Sequence, residues 1–402
     1  MNDTQRGERP RRQRRGSWRR PESAPPAAAP GANTAAPRRM RWRWPLFFVG
    51  LLLAAFAASK TVRLPTRIAA QLVAQKVAVE VSPAQPAGFT LNESMPIDSV
   101  FANFVGVAKI TGARLQPLND SLEAFISTEQ RPLEIHCKDA NLQASLRLVA
   151  TEAQNAEQAG LELLPLTINP GETLGVWSES SNALTLQLRT PAQAKSSISA
   201  KFVASAAFKA EVTNCGATLG GGKYDLSAYT IIPESEGCDI SISAHPRMTL
   251  VLGARAGQTP QLLRQGALRV AGVDFSSEHP TRGRQAALLA DGDITYPDFP
   301  TMPGLTLLRR NGIKFDQLGE FYLEELQLAP LADSAAVPSA LRVRLYGTAN
   351  AIRERRPAGD GRDLRLTVFD MLRHHEWLHD ALWIGAGAIG LLASLFTVIP
   401  RK

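Results

Sequence analysis

The residues with the clearest chemical potential lie near the end of the chain. Positions 374–379 read HHEWLH, and His375-Glu376-Trp377-Leu378-His379 has the H-E-x-x-H spacing. On a helix, residues four apart share a face, so His375 and His379 can bind one zinc ion while Glu376 acts as general base on a metal-bound water. Half of the six histidines fall in this stretch. A catalytic zinc also needs a third protein ligand. Downstream of His379 the only acid, histidine or cysteine is Asp380, adjacent on the helix and badly placed to complete the same site. The third ligand would have to come from upstream, from His136, His245 or His279.

A second reading explains more of these residues. FDMLRHHEWLHDALW makes an interfacial helix, with Arg373, the histidines and Trp377 at headgroup depth, where amphipathic groups belong. On this reading no catalytic residue, metal or cofactor is expected. A membrane-bound zinc metallopeptidase, with Glu376 catalytic and His375 and His379 as ligands, is the alternative.

Three other motifs fail on spacing. GATLGGGKY (Gly216 to Tyr224) looks like a phosphate loop, but Gly222 stands where Lys is required. It reads as a loop. GAGAIG (Gly385 to Gly390) matches G-x-G-x-x-G without the preceding strand of a βαβ unit. Asp291, Asp293 and Asp298 of DGDITYPD lack the ligand spacing of a calcium loop and read as a surface turn.

Of the three cysteines, Cys215 and Cys238 bracket a loop that a disulfide would close, and this pairing is the one expected. Cys137 falls on the apolar face of LEIHCKD and reads as a buried thiol.

Two apolar segments would have to position the terminal motif. WPLFFVGLLLAAFAAS (44–59) and ALWIGAGAIGLLASLFTVI (381–399) are uncharged, and tryptophans stand at their edges. Both are expected to be transmembrane helices. Arg38, Arg39, Arg41 and Arg43 before the first, with Arg401 and Lys402 after the second, place both termini in the cytoplasm. The body between them is then periplasmic in a bacterial two-pass inner-membrane protein. Ala55-Phe56-Ala57 offers a signal-peptidase site, but the long basic region before it favours an uncleaved anchor. Gly50, Ala54 and Ala58 in one segment, and Ala386, Gly390 and Ser394 in the other, form small-residue stripes suited to helix packing.

The formal charge of +8 invites a nucleic-acid partner, but its distribution argues otherwise. Residues 1–43 carry twelve arginines against Asp3, Glu8 and Glu22, so the rest of the chain is close to neutral. The tail, rich in Arg, Pro and Ala, has too little to bury and is expected to be disordered, with anionic lipid as a contact. No specific nucleic-acid binding is expected.

Period-two alternation dominates the body. LEIHCKD, LTLQLR (184–189), CDISIS (238–243), MTLVL (248–252), LRVRLY (341–346) and LRLTV (364–368) read as half-buried strands. RLPTRIAAQLVAQKVAVEV, within 60–82, reads as a juxtamembrane helix because Leu64, Ile68 and Leu72 recur every four residues. NLQASLRLVATEAQ (141–154) reads as a second helix. The expected fold is a mainly β, antiparallel, sandwich-like body split near 195 into β-rich domains (83–195 and 196–370), flanked by two transmembrane helices. The function expected is non-enzymatic: a structural or scaffolding subunit of a cell-envelope assembly. Its partners would be other envelope or membrane proteins, the bilayer or its own copies; a ligand-sensing envelope module is a further alternative.

Overall fold

The computed structural model describes residues 43–374, except 86–87, 92–93, 119–125, 130, 139–143, 152–159, 181, 235–236, 255–260, 264–266, 276–288, 308–311, 331–338 and 357–358, together with a few positions between 380 and 387. Contacts divide the chain into two units, Met1–Ala54 and Ala55–Lys402. Among the described residues of the second unit, 23 strands join one continuous hydrogen-bonded network, and Phe89–Thr90 with Thr167–Ile168 forms a separate two-stranded pair. Every strand pairing in the network is antiparallel, as the alternation predicts.

Two long strand pairs organise this network. The first ribbon pairs Met95–Thr111 with Cys238–Ala254, and the second pairs Gly312–Pro330 with Ser339–Arg356. Each ribbon bends at a bulge next to a glycine of the facing strand. In the first, three residues (His245, Pro246, Arg247) oppose Val105 between the pairs Gly106↔Ala244 and Phe104↔Met248. In the second, Gly319 and Glu320 oppose Thr348 between Leu318↔Ala349 and Phe321↔Gly347. Gly106 and Gly347 take φ of 154° and 144°, and a Cβ there would meet Ser243 O at 2.0 Å and Glu320 O at 2.1 Å. Bulges bend a strand and raise its twist, which is how a long sheet turns back on itself.

Both bends let strand pairings run in closed circuits. Thr66–Ala74 and Lys76–Val81 are one strand kinked at Gln75. Its first part pairs with the second ribbon through Ser339–Arg356, and its second part with Leu268–Asp274, which returns to Gly312–Pro330. The first ribbon closes similarly through Leu161–Leu163 and Ile198–Ala204. The hairpin Thr173–Ser180 and Ala183–Arg189 joins the two circuits, pairing with Lys76–Val81 on one side and Cys238–Ala254 on the other. One connected apolar core fills them. Phe104, Phe202 and Phe208 lie on strands of the first circuit and its extension, and Phe315 packs between Phe275 and Phe321 at 6.3 and 5.8 Å in the second.

Several expectations are corrected. The first apolar segment is helical, as α1 (Arg43–Thr61). Between Arg43 and Lys60 it has sixteen uncharged residues, which at 1.5 Å each span about 24 Å, short of the roughly 30 Å hydrocarbon core. Among the described residues no helix is long and apolar enough to cross a membrane. The two flanking transmembrane helices, and with them the two-pass inner-membrane placement of a periplasmic body, are therefore not supported. Residues 381–399 lie almost wholly outside the described residues, as does the tail 1–42.

The helix expected within 60–82 is the kinked strand 66–81. Thr66, Ile68, Ala70, Leu72 and Ala74 are buried on one face while Arg67 and Gln71 are exposed. A four-residue spacing is an even number, so it satisfies a strand as well as a helix. Likewise Ser145–Ala150 is a strand where a helix was expected over 141–154; the flanks of that segment lie outside the described residues. LRLTV is no strand beyond an isolated bridge, Arg63↔Thr367. Asp363 draws in both the backbone N–H and the guanidinium of Arg365, whose Nη1 donates to Asn350 O. The chain then turns into α2 (Val368–His374), with Asp370 accepting from Thr367 N at 3.0 Å.

The disulfide is also corrected. Cys137 and Cys215 face each other in register on adjacent strands, Cα to Cα 4.5 Å, and are bonded. Cys238 is a buried free thiol opposite Ala204. Burial, and then Asp239 and Glu234, push its pKa up to about 12. GATLGGGKY forms a tight hairpin instead of an open loop: Gly220 and Gly221, both at positive φ, turn Cys215–Leu219 into Gly222–Tyr224.

Two outcomes are expected. Non-reducing peptide mapping should recover Cys137 joined to Cys215, and Cys238 should resist alkylation at neutral pH until the protein is unfolded. Gly106→Ala or Gly347→Ala should each lower stability by about 2–4 kcal/mol, read from the denaturant midpoint, because the added methyl collides with backbone across the bend.

Candidate functional site

The bend in the first ribbon opens a cleft of about 620 Å³, lined by Asn103, Phe104, Val105, Arg189, Thr190, Ala192, His245, Pro246 and Arg247. Met95–Thr111 supplies the floor, where Phe104 is buried. Cys238–Ala254 supplies one wall through its three-residue bulge, and the end of Ala183–Arg189 supplies the other.

Hydrogen bonds fix the bulge against the neighbouring chain. Thr190 N donates to Pro246 O at 2.9 Å, and the Thr190 hydroxyl donates to the same oxygen at 3.2 Å. His245 Nδ1 lies 3.2 Å from Ser196 O and 3.4 Å from Thr190 Oγ1. A carbonyl only accepts, so the contact with Ser196 puts the proton on Nδ1 and leaves Nε2 toward solvent. The peptide between His245 and Pro246 is cis.

The electrostatics of the cleft are one-sided. Arg189 and Arg247 are directly opposite in the antiparallel register, and both line the cavity. Among the described residues neither guanidinium has a hydrogen-bond or ion-pair partner. Arg247 is half-buried, and its pKa is lowered by that desolvation and then by the neighbouring Arg189 charge. Thr173 flanks Arg189 on the next strand. The adjoining carboxylate, Glu172, accepts from Asn169 N and Nδ2 at 2.8 and 3.0 Å and so is turned to its own turn.

The residues singled out from the sequence are elsewhere. His374 ends α2, while His375, Glu376 and His379 lie outside the described residues, as does His279. His136 sits beside Glu134 at 3.3 Å on an outer face, where Lys109 also reaches Glu134 at 2.8 Å and holds its carboxyl below the usual range. Among the described residues no three metal-binding side chains come together. Gly50, Ala54 and Ala58 all lie on α1; Ala54 and Ala58 are exposed, and a Cβ at Gly50 would meet no atom within 4 Å. Ala386, Gly390 and Ser394 lie outside the described residues.

One signal of the cleft was present in the sequence. CDISIS and MTLVL flank Ala-His-Pro-Arg, and both runs keep the same buried parity, Ile240, Ile242 and Ala244 then Met248, Leu250 and Leu252. Proline inside a strand is confined to edges and bulges, so one bulged strand would have explained both runs. The arginine pair had no such signal, because it depends on register.

No family model, curated protein or solved structure matches this chain.

Like charges directly opposed on a sheet are destabilising. In chloride buffer without other anions, Arg189→Gln should raise stability by about 0.2–1 kcal/mol at low ionic strength, with the gain shrinking as salt screens the pair. Thermal unfolding at two chloride concentrations reads both the sign and the screening.

Proposed function

We propose that the protein is a non-enzymatic structural subunit of a multi-protein assembly. The observation that carries this reading is the surface of α1. Phe47, Phe48, Val49, Leu51, Leu52, Leu53 and Phe56 are 48–63 % exposed. They occupy successive positions, so they surround the helix instead of marking one stripe. A helix apolar on every side is normally covered, and apolar patches of this extent mark interaction surfaces. Covering each such side chain would contribute about 1.5–3 kcal/mol, enough in sum to hold a partner. The β body suits a structural role for a separate reason: its strands belong to one network stapled by a disulfide, so what it presents is held in fixed geometry. The partner that best fits α1 is another protein offering an apolar groove to a helix.

A photo-crosslinking residue at Leu52, used in cells on the full chain, tests the reading. Discrete protein adducts are expected, absent when the same residue replaces exposed Lys209. Adducts to lipid alone, or none, overturn it. With the photo-crosslinking residue kept at position 52, Phe48→Ser combined with Leu51→Ser should abolish the protein adducts while leaving the thermal unfolding of the body unchanged.

A further inference from the structure

The cleft of the first ribbon carries an inference independent of α1. Two features of it are unusual for a surface that merely faces water. The bulge residues are held by three polar contacts, so the site is built and not a chance hollow. And the bend and strand pairing set Arg189 and Arg247 opposite each other across a ladder, neither with any described counter-ion.

Arginine forks bind phosphate and carboxylate oxygens through paired, charge-assisted hydrogen bonds. A single oxyanion between Arg189 and Arg247 would convert their mutual repulsion into two attractions. His245 lines the same wall. Asn103 and Thr190 add polar lining, and Phe104, Val105, Ala192 and Pro246 supply an apolar part. The cleft volume also falls in the range of small-molecule sites, roughly 300–1,000 Å³.

We propose that this cleft is a binding site for a small amphiphilic anion, with a phosphate or carboxylate head held between Arg189 and Arg247. The apolar part of the ligand lies against Phe104, Val105 and Pro246. The head chemistry is shared by free metabolites and lipid headgroups, and the length of apolar chain that improves binding separates the two sources.

The test uses the purified full chain, with inorganic phosphate, hexyl phosphate and hexanol as probes, followed by calorimetry and by thermal unfolding. Sodium chloride at matched ionic strength is the control. Phosphate should bind and raise the melting temperature above the chloride control, since a ligand that binds only the folded state stabilises it. Hexyl phosphate should bind more tightly than phosphate, and hexanol should show no measurable binding. Arg189→Gln and Arg247→Gln should each weaken both anions by about tenfold to a hundredfold, the loss of one charged hydrogen-bonding group. Arg189 is exposed, so its variant keeps the test valid should Arg247→Gln fold poorly. Three results overturn the proposal: no phosphate effect beyond chloride, unchanged affinity in a folded Arg189→Gln protein, or hexanol binding as well as hexyl phosphate.

Discussion

Close backbone approach at two glycines is the constraint on which the rest of this structure depends. At Gly106 and Gly347 one strand of a ribbon runs so near its partner's carbonyl that a Cβ would lie 2.0 or 2.1 Å from oxygen. Only glycine accepts both that contact and the positive φ. Straight ribbons 17 to 19 residues long would leave extended edges open to other chains. Bent at these points, they pair with different neighbours on either side of the bend, and the pairings close into circuits. The apolar faces then point inward from all sides, which is why one connected core forms.

The cleft follows from the same bend. Where three residues must oppose one, the extra backbone leaves the ladder, and His245, Pro246 and Arg247 are carried out over Phe104. The compensation is local: Thr190 satisfies Pro246 O twice, and Ser196 orients the imidazole. The arginine pair has no such compensation. Several other charged ladder pairs are matched, as in Lys109 with Glu134, Arg147 with Glu211 and Arg344 with Glu325, and where Lys314 stands opposite Arg353, Asp316 lies 2.7 Å from the Lys314 ammonium. A position where local electrostatics oppose the fold, with no described counter-ion, is where a binding role is to be sought.

The body and α1 obey different rules. In the strands, apolar side chains alternate with polar ones and are buried on one side. In α1 they occur without alternation and stay exposed. Among the described residues, burial therefore accounts for the strands far better than for α1. Its terminal turn is the exception, where Phe56 meets Phe369 edge-on at 5.4 Å and Lys60 lies over both rings.

The sequence by itself determined the β character of the body and the inward face of many strands. Leu133, Ile135 and Cys137, or Leu184, Leu186 and Leu188, are legible because alternation is a local property with a period of its own. It also determined that the excess positive charge belongs to the tail. Tertiary structure decided whatever depends on which strand lies beside which. Ile68 and Leu72 fit a helix and a strand equally until Ser339–Arg356 pairs alongside them. Cys137, not Cys238, bonds Cys215 because register places it opposite, and distance along the chain carries no information about register. Arg189 and Arg247 stand 58 positions apart in the sequence and meet only through the ladder between their strands. Local periodicity records the face a residue shows; its cross-strand partner is a non-local choice, made by the packing of the whole sheet.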